Sequence, residues 1–239
     1  MPLPKIATPT YELELPSTGQ TIQYRPFLVK EEKLLVLALE GEDVKEITTA
    51  IKNVIKSCIQ TKGIKVDTLP TFDIEYLFLN IRGKSVGEDI EVKLLCPDDN
   101  ETYVPVKILI DDILVVKSEE HTNKIKLDSN LMMEMKYPSL AEFIKNNFDF
   151  GQDASMDQSF DLIASCIDKI YNEEEVWAAA DCTKKEINSF LDQMNSSQFK
   201  EIETFFETMP KLSHTVKLKN PKTKVESEVV LEGLSSFFG

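Results

Sequence analysis

Histidine is almost missing from this 239-residue chain, which has only His121 and His214. Little material is left for Ser–His or Cys–His nucleophilic chemistry. Both lie in polar stretches expected to be solvated, and no motif around either supports a catalytic role. The four cysteines, Cys58, Cys96, Cys166 and Cys182, are widely spread with no Cys-x-x-Cys pair, so the usual zinc and redox spacings are absent. Cys96 sits on a turn where a zinc knuckle would place a ligand, but its neighbours Pro97, Asp98 and Asp99 bring no second Cys or His. Cys58 and Cys166 fall on apolar helical faces and read as small core residues.

Glycine is scarce, at eight residues. There is no Gly-x-x-x-x-Gly-Lys-[Ser/Thr] loop, no support for a dinucleotide fingerprint and no Gly-x-Ser-x-Gly elbow. No window approaches the roughly 18 apolar residues of a membrane helix. The opening Met1-Pro-Leu-Pro-Lys-Ile-Ala-Thr-Pro9 lacks the basic start and apolar run of a secretory leader. Positive charge is also short: 27 Lys and Arg stand against 41 Asp and Glu, a formal charge of -14. That balance argues against sequence-independent nucleic-acid binding and against an anionic membrane surface. The expectation is a soluble protein of a reducing cytoplasm with free thiols. No cofactor, metal, nucleic-acid partner, membrane partner or small-molecule ligand is expected. The acidic clusters Asp98-Asp-Asn-Glu101 and Asp111-Asp112 lack the EF-hand pattern and read as solvated turns. Glu173–Glu175 reads as an exposed face or a rim contact.

What is present is alternation and amphipathic periodicity. Tyr11–Leu15 and Thr21–Arg25 alternate around Pro16-Ser-Thr-Gly19, a hairpin signal. Pro26 ends the strand, and Lys30 to about Leu39 reads as a short helix closed by Gly41. Asp43 and Glu46 have the capping-box spacing before a helix with Ile47, Ile51 and Ile55 on one face, stopped by Lys62-Gly63. A further helix starts near Thr71 and ends at Gly83 and Gly87. Ile90, Val92 and Leu94, then Val104, Val106 and Ile108, alternate about a Cys96–Asn100 turn. Ile113–Val116 and Lys124–Leu127 read as two more strands. From Pro138 the chain reads as helical, with capping boxes at Ser139/Glu142, Ser155/Gln158 and Thr183/Glu186. Phe160, Ile163, Ile167 and Ile170 form one apolar face. Glu173–Trp177 is either a short helix or a loop. A last helix with Phe199, Ile202, Phe205 and Phe206 closes at Pro210, before a hairpin over Val216–Leu231. Val92-Lys-Leu-Leu-Cys-Pro97 beside Val216-Lys-Leu-Lys-Asn-Pro221 is either a weak internal repeat or the common demand of two similar hairpins.

The fold class is therefore α+β. A part over 1–128 holds a hairpin, helices and a small antiparallel sheet. A helical part over 129–239 ends in a β-hairpin.

Three sets of residues are candidates for partner contact. Arg82 and Lys84 follow an apolar helix. Lys217, Lys219, Lys222 and Lys224 crowd the last hairpin, either meeting an acidic partner or protecting a strand edge. Phe237 and Phe238 end the chain, either plugging a core groove or docking on a neighbour. Arg25, Glu31 and Glu32 lie at the strand-to-helix corner; an Arg or Lys to Glu pair between this corner and that of Arg82 and Lys84 would lock hairpin to helix, or these charges stay free for a partner.

Leu15-Pro-Ser-Thr-Gly19, Tyr24-Arg-Pro-Phe27, Lys30-Glu-Glu-Lys-Leu-Leu35, Asp73-Ile-Glu-Tyr-Leu-Phe-Leu79, Arg82-Gly-Lys-Ser-Val-Gly87 and Leu231-Glu-Gly-Leu-Ser-Ser-Phe-Phe238 occur in order. This series resembles the T4-type bacteriophage baseplate hub family. The resemblance implies a non-enzymatic structural or assembly subunit of a contractile-tail hub. It would touch other phage baseplate or tail proteins, in the virion tail baseplate and in the host cytoplasm during assembly. The alternatives are a transient assembly chaperone absent from the mature virion and, behind it, a carboxylate-based hydrolase.

Overall fold

The computed structural model describes residues 6–41, 43–140 and 156–237. In chain order the elements are β1 (Tyr11–Glu14), β2 (Thr21–Tyr24), α1 (Val29–Glu40), α2 (Val44–Cys58), α3 (Thr71–Val86), β3 (Asp89–Leu95), β4 (Tyr103–Leu109), β5 (Leu114–Val116), β6 (Lys124–Lys126), β7 (Met132–Met135), α4 (Met156–Cys166), β8 (Ile167–Tyr171), β9 (Val176–Ala178), α5 (Lys184–Leu191), α6 (Ser196–Thr208), β10 (Lys211–Lys219) and β11 (Glu226–Glu232). All strand pairs are antiparallel, and the class is α+β as the patterning implies.

The chain forms two compact units. One comprises Met1–Val66, Phe72–Val116 and Lys211–Gly239, and the other Asp67–Thr71 and Lys117–Pro210. They are not the sequential halves 1–128 and 129–239. The terminal hairpin belongs with the N-terminal elements because β10 pairs with β5, Lys211 opposite Val116.

In the first unit, β1 and β2 make the expected hairpin, with Gly19 at φ +68° in its turn. The α2 helix ends at Cys58, four residues before the Lys62-Gly63 signal. There the backbone joins β2 instead: Ile59 bridges Tyr24, and the Gln60 amide donates to the Gln23 carbonyl at 2.8 Å. The α3 helix runs through Gly83 and stops only before Gly87 (φ +150°). Gly83 is an internal contact point, not a terminator, since a Cβ there would lie 2.9 Å from Ile110 Cδ1.

The hairpins β3–β4 and β10–β11 place Ile90, Val92, Leu94 and Ile108, and Leu212, Val216, Leu218 and Leu231, in one core with Leu79, Ile113 and Phe237. Their turns match closely. Asn100 donates to the Cys96 carbonyl and Lys224 to the Asn220 carbonyl, both at 3.0 Å, and Asn100 and Lys224 both have positive φ. Pro97 and Pro221 hold the same place in each. The resemblance between the two segments therefore extends to backbone geometry. Asp98 accepts from Asn220 Nδ2 at 3.0 Å and from the Thr223 hydroxyl, tying one turn to the other.

In the second unit the sheet order is β6-β7-β8-β9. Its core includes Ile125, Met133, Met135, Leu162, Ile163, Cys166, Ile167, Ile202 and Phe205. Two expectations fail here, and one strand comes without an expectation. The helix through Phe160 and Ile163 stops at Cys166, and Ile167 and Ile170 belong to β8, paired with β7 on one side and β9 on the other. Glu173–Trp177 is neither helix nor loop alone, since it turns into β9. The short strand β7 had no signal that separated it from its surroundings. The Thr183/Glu186 capping box forms, and a second forms at Asn195/Gln198. The Ser139/Glu142 and Ser155/Gln158 boxes and residues 1–5 lie outside the described residues.

Candidate functional site

Most polar residues that stand out in the sequence are already occupied within the chain. Asp73 is fully buried on α3 and accepts from the Ser17 amide at 3.0 Å and from the Ser17 hydroxyl. Two residues on, half-buried Glu75 accepts from the Leu234 amide at 3.1 Å. One turn of α3 thus holds both the turn of the first hairpin and the last turn of the chain. Burial raises both carboxyls above the ordinary range, Glu75 to about 7, against the opposing hydrogen bonds from Ser17 and Leu234. Buried acids of this kind serve hydrolases when paired in a cleft. Positions two apart on a helix do not face each other, and each acid here holds a backbone amide. They are clamps.

The corner between β2 and α1 is closed the same way. The Arg25 guanidinium donates to Glu31 at 2.9 Å, to the Pro26 carbonyl at 2.8 Å and to the Ser57 carbonyl at 3.0 Å. Glu31 is buried, which works against its charge. The hydrogen bonds from Arg25, Leu28 and Lys30 outweigh that and hold its carboxyl below the usual range. The ion pair formed, Arg25–Glu31, lies within this corner and not between it and the Arg82/Lys84 corner, where Lys84 pairs with Glu88. At the far end of α3, Lys84 donates to Glu88 at 2.5 Å and lies 5.6 Å from the Tyr11 ring centroid. Arg82 is half-buried, and burial lowers its pKa while Asp89 opposes the shift.

The lysines of the last hairpin meet acids of the opposite strand. Lys217 is 3.5 Å from Glu228 and Lys219 is 2.9 Å from Glu226. Lys224 donates to the Pro221 carbonyl at 2.8 Å, and Lys222 is exposed at the turn. The hairpin is a ladder of alternating charge more than a basic patch. Phe237 is 1 % exposed in the core of the first unit, which removes it as a docking anchor. Phe238 lies outside the described residues.

His121 is buried, contrary to its polar sequence context. Nδ1 lies 2.9 Å from Thr208 Oγ1, and Nε2 lies 3.0 Å from the Tyr137 hydroxyl. The Thr208 hydroxyl donates to the Thr204 carbonyl, so Nδ1 carries the proton toward Thr208 and Nε2 accepts from Tyr137. Its ring lies 5.3 Å from that of Phe205. The residue is a structural hydrogen-bonding core group. His214 Nδ1 lies 3.1 Å from the Asp112 carbonyl. Among the described residues no group of three or more His, Cys, Asp or Glu is placed to hold a metal ion. Asp98 and Asp99 are engaged in their turns, Asp99 accepting from Thr102 and Glu101. No described helix is long and apolar enough to cross a membrane.

Several large aliphatic side chains are also left outside. Leu28, Val29, Leu34, Val36, Leu37 and Leu39 are 41–65 % exposed on and beside α1, whose inward side holds Glu31 and Ala38. A helical stretch apolar on every side, as Leu34–Leu39 is within the otherwise charged α1, belongs in an interior or an interface. The signal was present in Leu34-Leu-Val-Leu-Ala-Leu39, a run with no polar position to turn toward water. Val176 and Trp177 on the edge strand β9 form a smaller exposed pair.

The family model described as T4 bacteriophage base plate protein matches residues 8–239, and the chain belongs to that family. No curated protein and no solved structure matches it. The membership gives the chain a structural place in a phage tail baseplate.

Proposed function

We propose that this baseplate protein is a non-enzymatic subunit of the hub, working through contacts with other baseplate or tail proteins. The observation that carries the reading is the division of labour in the first unit. Its conspicuous charges are consumed by internal clamps, while six large aliphatic side chains on and beside α1 face solvent. The Gly19, Asp73–Glu75 and Gly233–Phe237 segments, which resemble hub proteins, converge on α3. They therefore act as a folding signature that shapes the presenting scaffold. Of the charged candidates, Lys217, Lys219, Lys222 and Lys224 stay accessible for partner contact, more so than Lys84.

Quantitative mass spectrometry of purified virions, with purified hub subassemblies, tests this reading. The expected result is stoichiometric presence in both. Presence during assembly with absence from the particle would replace the subunit by a transient chaperone, made and used in the host cytoplasm. Presence in the tail but not in the hub fraction would refute the hub position.

A further inference from the structure

We propose that the chain self-associates through α1, two copies packing antiparallel about a two-fold axis. This goes beyond the hub reading and does not rest on it. The inward side of the helix is set by Glu31, Leu35 and Ala38, which are buried or half-buried. Directly opposite, three and four residues apart, run Val29, Lys33, Val36, Leu37 and Glu40, all exposed, with Leu34 and Leu39 on the flanks. Residues at these intervals share one helix face.

The pattern is self-complementary in one direction only. An antiparallel pair with its axis between Val36 and Leu37 sets Val36 against Leu37 and Leu34 against Leu39 of the other copy, while Val29 falls beyond the Glu40 end of the partner helix. It also sets Lys33 of each copy against Glu40 of the other. A parallel pair would set Lys33 on Lys33 and Glu40 on Glu40. A two-fold interface requires this reciprocity, in which one residue meets a second and the second meets the first.

The exposed aliphatic area of Leu34, Val36, Leu37 and Leu39, the residues within the overlap, is on the order of 400 Å² per copy. Two copies then bury at most about 800 Å² of it, below the roughly 1,200 Å² of stable specific interfaces. An interface of that size fits weak, reversible association, with the formal charge of -14 repelling until salt screens it.

Sedimentation velocity of the purified full chain at physiological salt, from about 1 to about 200 µM, tests the inference. The expected result is a shift from 27.2 kDa to twice that mass. Leu37→Asp should abolish the shift with unchanged circular dichroism. Lys33→Glu and Glu40→Lys should each weaken association by about 5- to 30-fold, because each puts two like-charge contacts in place of two attractive ones. The double variant Lys33→Glu/Glu40→Lys should restore it. A monomer at every concentration would overturn the inference. So would a dimer indifferent to Leu37→Asp, or a double variant no better than the single ones.

Discussion

Glu75→Gln tests whether α3 holds the end of the chain with a strained acid. The Glu75 carboxyl has a folded pKa of about 7 against an ordinary 4.5, and burial is the cause. Below pH 4.5 both folded and unfolded chains carry the proton, and the shift contributes nothing. As pH rises from 4.5 to 7 the unfolded chain releases its proton while the folded chain keeps it, so stability falls. Above 7 the loss is complete. Glutamine cannot ionise and still offers an oxygen to the Leu234 amide. A window of pH 5.5 to 8 stays clear of the isoelectric point near 4.7 and catches most of the titration. Over that window, at about 1.36 kcal/mol per pH unit, the difference is capped at about 2 kcal/mol. Partial solvent screening of a half-buried group brings the expected value to about 1 kcal/mol. Urea denaturation of both proteins at pH 5.5, 7 and 8 measures it, and the difference between them cancels every other titrating group. The variant should gain on the parent as pH rises. A gap that stays constant with pH, or narrows, would refute the clamp as described.

Phe237→Ala should destabilise the first unit by about 3–5 kcal/mol, read as faster hydrogen exchange in β3, β4, β10 and β11. A loss under about 1 kcal/mol would show that Phe237 is not a core residue. For the same reason, deleting residues 233–239 should damage the fold itself and not only assembly. Burial lowers the His121 pKa below 6.5, so its contribution is full above pH 6.5 and is lost as pH falls toward the folded value. The parent should therefore lose up to about 1.4 kcal/mol per pH unit relative to His121→Gln between pH 6.5 and 5.5. Equal pH slopes in the two proteins would contradict the buried neutral imidazole.

Where sequence and structure agree, the reason is local. The hairpins at Tyr11–Tyr24, Asp89–Leu109 and Lys211–Glu232 follow from alternation plus turn residues, and the Thr183 cap from its own side chain. Where they part, a distant partner decides. Ile167 and Ile170 fit a helical face as well as a strand, and only pairing with β7 and β9 selects the strand. His121 is buried by Thr208, 87 residues away, which its neighbours Glu119, Glu120 and Asn123 do not foreshadow. Asp73 and Glu75 look like surface acids until Ser17 and Leu234 are brought to them. Phe237 could be assigned to core or contact only once the sheet it closes was known. The α1 surface was legible in its six-residue apolar run, but short helices are usually read for what they bury.

Val116 and Lys211 sit opposite each other on neighbouring strands, yet 94 residues separate them in sequence. To β5 and β10, all of that intervening chain is one very long connection, and the entropy of closing it grows only with the logarithm of its length. The pairing therefore constrains the two exit points and leaves the cargo between them open to exchange. A tight reverse turn grafted there in place of residues 117–210 should leave the β5–β10 register intact, although Asp67–Thr71 would lose the partners it bonds at Pro138–Leu140.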